Sequence, residues 1–202
     1  VKAEDLGWDA GLLKIVRALP SDYLNYYYYR ESKLEQLIKE EKSRGEVCKD
    51  IEKELLTLYK DPDLREKPAA LDKRGGALYS EAALSLISAI YNDKDEIHVV
   101  NTRNNGALDF MGYNDVVEIG CRVNKDGVTP IPLKSFDNEH IKELMRTVKA
   151  YEKHAAAAGL KGDYAEALRA LMIHPLVGDY TKAKSALDEM MEAHREFLPQ
   201  FK

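Results

Sequence analysis

The chain has 202 residues, and 30 lysines and arginines against 35 aspartates and glutamates give a net charge of −5. A mildly acidic chain is a poor electrostatic partner for nucleic acid or an anionic membrane, so we expect neither as a partner. No apolar run approaches the roughly 18 residues of a membrane span, and a hydrophobic share of 45% excludes wholesale disorder. The 2 cysteines are too few for a disulfide framework or a zinc cage. We therefore expect a reducing, cytoplasmic setting.

Helical periodicity predicts the elements of the first part of the chain. Apolar residues within 12–19 fit a short amphipathic helix that Pro20 stops. A second helix is predicted over residues 47–59, and a third, rich in Ala, Leu and Ile, over residues 79–91. Residues 60–73 lie between these two helices and are predicted to form a loop within the domain.

The period changes to two in the middle of the chain, which is typical of β-strands. Residues 97–101 and 117–123 are the strand candidates. Asp126-Gly127 then supplies the positive-φ residues of a tight hairpin turn, after which the chain returns as a further short strand. Long helices around a small, largely antiparallel sheet make an α+β domain.

Three more helices are predicted in the last third of the chain. Asp137 is the predicted N-cap of the first, and Asp163 has capping-box spacing for the second. The third spans residues 180–197, and its inward-facing side chains are predicted to be Ala183, Leu187, Met190 and Met191.

Tyrosine is over-represented, with 12 in the chain, and five of them lie between Tyr23 and Tyr29. On one helix, Tyr23, Tyr26 and Tyr27 would share a face. The residues alone leave two interpretations open. The segment is either an aromatic packing stripe whose phenols reach the surface, or it holds a phenol that acts as a general acid or base. The second needs a phenol pKa lowered from about 10 by a nearby cation.

Two further segments could bind a ligand, although each also has an ordinary structural interpretation. Arg74-Gly75-Gly76 opens a helix, where backbone amides can approach an anion. Residues 101–106 combine amides with one arginine and could hydrogen-bond a polyhydroxylated ligand, or simply form an Asn-Gly turn. The 5 histidines show no metal-ligand spacing, and no dinucleotide fingerprint or carboxylate pair is visible.

Four segments, residues 19–27, 44–47, 73–83 and 100–108, together resemble the C-terminal half of the family 4 glycoside hydrolases, most closely the 6-phospho-β-glucosidases. The four motifs occur in the family's order, and the resemblance covers nearly the whole chain. It implies a domain similar to the C-terminal domain of the lactate and malate dehydrogenases. It also implies a cytoplasmic parent enzyme that acts on phosphorylated disaccharides and forms a homo-oligomer, either a dimer or a tetramer.

The chemistry that the resemblance implies does not use the pair of carboxylates found in ordinary glycosidases. In the family, NAD is thought to take a hydride from sugar C3, and a divalent metal, often manganese, polarises the resulting carbonyl. A tyrosine can then remove the acidified C2 proton, and the glycosidic oxygen is eliminated. By its place in the motif, Tyr26 resembles that base.

The resemblance also assigns substrate-binding positions. Arg44 matches an arginine thought to contact the sugar phosphate, and Arg74, Tyr79 and Asn105 occupy further motif positions. Ser21 favours β-specificity, because α-specific relatives tend to carry Asp there. A 6-phospho-α-glucosidase remains an alternative, as does a non-catalytic oligomerisation module whose exposed aromatics pack against a sister subunit.

The nucleotide loop and the metal-binding Cys and His of the family belong to its N-terminal half, and none of these motifs is found in residues 1–202. We therefore interpret residues 1–202 as a single C-terminal, substrate-side domain without metal ligands of its own. Such a domain is expected to be inactive in isolation.

Overall fold

The computed structural model describes residues 7–75 and 78–201. The chain divides into two compact units, of which unit 1 comprises residues 7–30, 108–115 and 133–201, and unit 2 comprises the remaining described residues. The elements in chain order are α1 (Ala10–Val16), α2 (Asn25–Tyr28), α3 (Arg30–Lys39), α4 (Arg44–Leu58), α5 (Ala69–Arg74), α6 (Tyr79–Tyr91), β1 (Glu96–Arg103), β2 (Val116–Asn124), β3 (Gly127–Pro130), α7 (Glu139–Lys161), α8 (Tyr164–Ile173) and α9 (Tyr180–Ala193). Helices with a small antiparallel sheet confirm the predicted α+β class. Within the described ranges, no helix has the length and apolar character needed to cross a bilayer.

The start of unit 1 differs from the prediction of a helix over residues 12–19. Asp9 caps α1 by accepting a hydrogen bond from the Leu12 N–H at 2.8 Å. The helix ends at Val16 because Arg17 adopts a left-handed conformation, with φ 53°, and donates its N–H to the Leu13 carbonyl. The chain therefore leaves the helix three residues earlier than Pro20 alone would require.

Asn138, and not the predicted Asp137, is the N-cap of α7. Its side-chain oxygen accepts from the Ile141 N–H at 3.3 Å, while its amide nitrogen donates to the Val16 carbonyl at 2.7 Å. An aspartate could have accepted the first bond but could not have made the second, because an ionised carboxylate has no donor. The buried Asn138 thus ties the end of α1 to the start of α7.

The start of α8 follows the predicted capping with one difference. Asp163 caps α8 through the Glu166 N–H, as predicted. Glu166 does not complete a capping box, since its carboxylate hydrogen-bonds His154 at 2.6 Å and Arg169 at 2.6 Å instead.

The helix predicted over residues 180–197 is shorter than expected. It ends at Ala193, after which a 3₁₀ turn covers Arg195–Phe197. Ala183 and Leu187 are buried as predicted, but Met190 is 43% exposed, so that part of the prediction is wrong. Met190 lies about 60° around the helix from Leu187, at the edge of the buried stripe and in the last turn of α9.

Gly162 ends α7 in the left-handed region, with φ +66°, where glycine carries little steric penalty. The main chain of Gln200 passes directly over it, so that a Cβ built at residue 162 would lie 1.8 Å from the Gln200 carbonyl oxygen. The side-chain amide of Gln200 also donates to the Gly159 carbonyl at 3.3 Å. The C-terminal segment is therefore packed against the α7–α8 turn.

Unit 2 contains the three-stranded antiparallel sheet, in the order β1-β2-β3. His98 pairs with Cys121 in the β1–β2 register. The hairpin from β2 to β3 turns at Lys125 and Asp126, one residue earlier than predicted, because Gly127 already pairs with Asn124. Of the two predicted positive-φ residues, only Gly127 has that conformation, with φ 106°. Cys121 and Val123 are fully buried and cluster with Ala89 of α6, so this helix covers one face of the sheet. The predicted bounds of α6, residues 79–91, are confirmed.

The helical part of unit 2 contains two elements that the sequence did not predict. Residues 60–73 were predicted to be a loop, but α5 begins at Ala69, immediately after Pro68, because the following residues favour helix. The second is α3, whose apolar side chains are exposed and give no buried stripe. α5 packs on α4 through a small core in which Ile51, Leu55 and Ala70 are buried.

Candidate functional site

The tyrosine segment of unit 1 is not one continuous helix. Residues Asp22–Leu24 form a 3₁₀ turn, and α2 follows it with only four residues. The prediction that Tyr23, Tyr26 and Tyr27 share a helical face is therefore wrong, since Tyr23 lies in the turn. Tyr23 is 82% exposed and Tyr26 is 41% exposed. Within the described residues, no group hydrogen-bonds to the Tyr26 hydroxyl, which leaves it open to a ligand.

Tyr28 and Tyr29 are held inside unit 1 by Trp8, which is only 2% exposed. The Tyr28 ring meets the indole edge-on, with centroids 6.2 Å apart, and the Tyr29 ring lies 6.0 Å from it in a tilted arrangement. The Tyr28 hydroxyl hydrogen-bonds His140 Nε2 at 2.9 Å. Burial raises the pKa of the Tyr28 phenol, and Tyr27 adds to that shift. A neutral, packed phenol of this kind is structural, and it fixes α2.

Tyr27 lies between the exposed Tyr26 and the packed Tyr28, and it has contacts of both kinds. Its ring makes an edge-to-face contact with Tyr28, with centroids 5.0 Å apart. It also lines an open cleft of about 590 Å³ in unit 1. The other residues that line the cleft are Glu139, His140, Glu143, Leu144, Thr147 and Pro175.

Arg44 of unit 2 makes a contact that its predicted role did not include. It is the first residue of α4, where Ser43 and Glu46 form a reciprocal capping box. Its Nη2 donates to the main-chain carbonyls of Lys73 at 3.0 Å and Arg74 at 3.1 Å. These carbonyls end α5 and have no partner within that helix. Among the described residues, no hydrogen bond uses the Nε or Nη1 group of Arg44, so both are available to a ligand.

Arg74 ends α5, and its side chain is exposed and has no ion-pair or hydrogen-bond partner within the described residues. It borders a shallow cleft of about 340 Å³ next to α4, which Cys48 and Tyr59 also line. Gly75 follows with φ +88°, a conformation that suits glycine. The second glycine of the predicted anion-binding motif, Gly76, lies outside the described residues.

Tyr79 and Asn105 are both exposed in unit 2, and neither contacts Arg44 or Arg74 through any described hydrogen bond. Tyr79 begins α6 and is 79% exposed. Asn105 and Gly106 both have positive φ, 49° and 83°, in a turn closed by the Ala107 N–H on the Asn104 carbonyl at 2.9 Å. The Asn-Gly turn interpretation is therefore confirmed, and the turn presents the Asn105 side chain to solvent.

The structure thus brings together Arg44 and the turn that carries Arg74, while Tyr26 belongs to the other unit. In residues 7–75 and 78–201, no three His, Cys, Asp or Glu side chains come together as metal ligands. The described residues therefore do not provide a site that fits a divalent metal. Cys121 is no exception, since burial raises the pKa of its thiol and disfavours the thiolate that metals bind.

Two elements of the site were not foreseen from the sequence. Trp8 and His140, which hold the tyrosine segment, are separated from it in the chain and belong to no motif. The α5 helix, which places Arg74, has six residues, fewer than two turns, and is too short to give a periodic signal. The single tryptophan was the one available clue, because a lone large aromatic residue usually lies in a core.

Comparisons with known proteins agree with the resemblance. The family model described as the family 4 glycosyl hydrolase C-terminal domain matches residues 5–177. Over 197 residues the chain is 45% identical to a probable 6-phospho-β-glucosidase of Bacillus subtilis strain 168, covering 96% of this chain and 44% of that protein. Over 200 residues it is 38% identical to the 6-phospho-β-glucosidase of Escherichia coli K12, covering 98% and 44%.

A solved structure adds a match in three dimensions. The 6-phospho-β-glucosidase of Thermotoga maritima, solved with manganese, NAD⁺ and glucose-6-phosphate, superposes with a TM-score of 0.84 at 35% identity. The match covers 94% of this chain and 45% of that one. The chain therefore spans less than half the length of the relatives it matches.

Proposed function

The chain belongs to the family 4 glycoside hydrolases, and on that premise we propose that residues 1–202 form the C-terminal, substrate-side domain of a cytoplasmic 6-phospho-β-glucosidase. The observation that carries the proposal is the placement of Arg44 against the turn of Arg74. Neither guanidinium pairs with a carboxylate of the described residues, so their charge is available to an anion. Guanidinium groups suit the phosphate of a phosphorylated disaccharide, because they can donate paired hydrogen bonds to its oxygens.

Tyr26 is the proposed base that takes the proton from sugar C2. Its hydroxyl is exposed and has no hydrogen-bond partner within the described residues, so it can approach a ligand without first breaking a protein contact. Tyr79 and Asn105 are proposed as further substrate contacts, since both are exposed and lie at motif positions.

NAD and a divalent metal, the cofactors on which the family depends, are proposed to bind outside residues 1–202. This follows from the lack of a metal-ligand cluster in the described part of the chain and from the missing motifs. The test is to incubate the purified 202-residue chain with NAD, manganese, a reductant and a 6-phospho-β-glucoside. No aglycone should be released above the buffer blank, and release that depends on both NAD and metal would show that this placement is wrong.

The β-specificity is supported by Ser21 and by the names of the two relatives, both of them 6-phospho-β-glucosidases. The alternative is a 6-phospho-α-glucosidase. Assays of the full-length protein with the two anomers of one 6-phosphoglucoside separate the two functions. We expect turnover of the β-anomer, and turnover of the α-anomer alone would exclude the proposed specificity.

A homo-oligomer, dimer or tetramer, is proposed for the full-length protein on the basis of α6. Leu84, Ile87 and Tyr91 lie on one side of this helix and are 67%, 61% and 87% exposed. Exposed apolar surface of this kind is typical of protein interfaces. Tyr28 and Tyr29 belong to the aromatic segment 23–29 that suggested an oligomerisation module, but their rings pack on Trp8 within unit 1 and so do not support one. Ile87→Glu should lower the particle mass in light scattering, whereas Ile38→Glu, at an exposed position of α3, should not.

A further inference from the structure

The sheet of unit 2 has one covered face and one exposed face. α6 packs on the first, where Cys121 and Val123 are fully buried. Side chains alternate between the two faces along each strand, so the other half of the residues of β1 and β2 lies on the second face. We call this second face the open face, and it is formed by the odd-numbered residues 97–103 of β1 and the even-numbered residues 116–122 of β2.

The middle of the open face is an apolar row that crosses the strands. Val99, which is 68% exposed, pairs with Gly120 in the β1–β2 register. The Ile131 N–H donates to the Gly120 carbonyl at 2.9 Å, so Ile131 lies on the other side of the glycine. A Cβ built at residue 120 would meet no atom within 4 Å, so the row is a shallow depression. An apolar side chain from another surface can fill it.

Charged residues lie at both ends of the open face in a regular arrangement. Arg122 lies two residues after Gly120, and its Nη1 donates to Asp95 at 2.7 Å. Glu118 lies two residues before Gly120, and Arg103 lies at the same end, on β1. Within the described residues, neither Glu118 nor Arg103 has an ion pair or a side-chain hydrogen bond. Each end therefore carries one cation and one anion, with the cation on β2 at one end and on β1 at the other.

We propose that the open face packs against the open face of a second copy of the chain, about a two-fold axis that runs across the strands at Gly120. Such an axis reverses the strand direction, so residues at equal distances before and after Gly120 come to lie over each other. Arg122 then meets the partner's Glu118, and Asp95 meets the partner's Arg103. An axis along the strands would instead bring like charges together on β2, which is unfavourable.

This inference rests on the homo-oligomer of the proposed function and adds a second contact to it. α6 lies on the covered face of the sheet, so its exposed side and the open face can each meet a different copy. Two such contacts make a tetramer with two kinds of two-fold interface. Strands about 4.8 Å apart that rise about 3.4 Å per residue make the open face roughly 15 by 25 Å, which is small for a stable dimer. The α6 contact holds the copies together and so raises the effective concentration at the open face.

The test is an exchange of charges in the full-length protein, with Glu118→Arg, Arg122→Glu and the two combined. Each single change sets like charges opposite each other, so light scattering should give about half the mass of the wild type. The combined variant sets opposite charges against each other again and should recover the wild-type mass. Arg122→Glu also loses the bond to Asp95, but an exposed ion pair contributes little to stability, and circular dichroism checks the fold.

Glu54→Arg is the matched control, because it makes the same change of charge at an exposed position of α4 in the same unit. Its mass should equal that of the wild type. Masses equal to the wild type in both single variants would overturn the proposal, as would a folded combined variant that keeps the lower mass. Either result would assign the open face to solvent or to another part of the full-length chain.

Ile87→Glu separates this inference from the contact proposed for α6. An unchanged mass in Ile87→Glu would contradict the role of α6, while the exchange of charges would still decide the role of the open face. A monomeric wild type would contradict both contacts. Failure to hydrolyse the β-anomer would contradict the proposed activity and affect neither measurement.

Discussion

The tyrosine segment of unit 1 has an anchored half and an exposed half. Tyr28 packs on Trp8 and hydrogen-bonds His140, whereas Tyr26, two residues earlier, is 41% exposed and has no partner for its hydroxyl within the described residues. The two side chains have the same chemistry, and only their neighbours differ. The comparison teaches that the neighbours of a tyrosine decide its part in this segment: the anchored Tyr28 phenol fixes the backbone, and the exposed Tyr26 phenol is accessible to a ligand.

The largest effect is expected from removing the exposed hydroxyl. Tyr26→Phe in the full-length enzyme should lower kcat by roughly 10²- to 10⁴-fold, the usual contribution of a general base. NAD binding and the free energy of unfolding should not change, because no described group bonds to that oxygen. Steady-state kinetics and a fluorescence titration with NAD measure both. Tyr23→Phe is the control, and full turnover in Tyr26→Phe would assign the base to another residue.

Removing Trp8, which anchors Tyr28 and Tyr29, should instead lower the free energy of unfolding. Trp8→Ala deletes an indole that is 2% exposed and supports two tyrosine rings. We expect the free energy of unfolding to fall by about 3–5 kcal/mol, as for other buried aromatic residues cut to alanine. Urea unfolding of the full-length protein, followed by circular dichroism, measures the loss. Trp8→Phe should lose less unfolding free energy, so it can still be measured if the alanine variant does not fold. An unchanged urea midpoint in both variants would contradict the anchoring role of Trp8.

Tyr28→Phe keeps the ring contacts and removes only the bond to His140 Nε2, which is 2.9 Å long. A net loss of about 1 kcal/mol in the free energy of unfolding is expected, the usual contribution of one hydrogen bond. The same urea experiment applies, with Tyr23→Phe expected to match the wild type because Tyr23 is 82% exposed. Equal losses in the two variants would mean that the His140 contact does not anchor α2.

The smallest effect is an alkaline one, and it follows from the raised pKa of Tyr28. Because burial favours the neutral phenol, its contribution to stability is complete below the ordinary pKa of 10.0 and is lost as the pH rises through the higher folded value. The difference in unfolding free energy between wild type and Tyr28→Phe should therefore shrink above pH 10. A difference that grows there would contradict the structural role of this phenol.

The fold was predictable where a local pattern decides the structure. The apolar run of α6 was placed correctly and the turn between β2 and β3 to within one residue, because periodicity and turn chemistry are both local. The N-cap of α7 was misplaced by one residue, since the choice of Asn138 depends on the carbonyl of Val16, more than a hundred residues away. α3 was missed because it buries none of its apolar residues.

The candidate site was predictable to a similar extent. The family motif pointed to Tyr26 and Arg44, and both are exposed in the structure. The role of Arg44 towards α5 could not be foreseen, because its partners are main-chain carbonyls 29 and 30 positions away. Every residue has a main-chain carbonyl whatever its side chain is, so the residue types at positions 73 and 74 do not indicate that their carbonyls accept a hydrogen bond.

Because the main chain of Gln200 lies so close to Gly162, the two positions should differ in the substitutions that they tolerate. At residue 162 every other amino acid would bring a Cβ to 1.8 Å from the Gln200 oxygen, in addition to the strain of φ +66°. A second mutation at residue 200 cannot relieve this clash, because the oxygen belongs to the main chain whatever the side chain is. In a saturation library selected for folding, residue 162 should therefore remain glycine, while residue 200 accepts many amino acids.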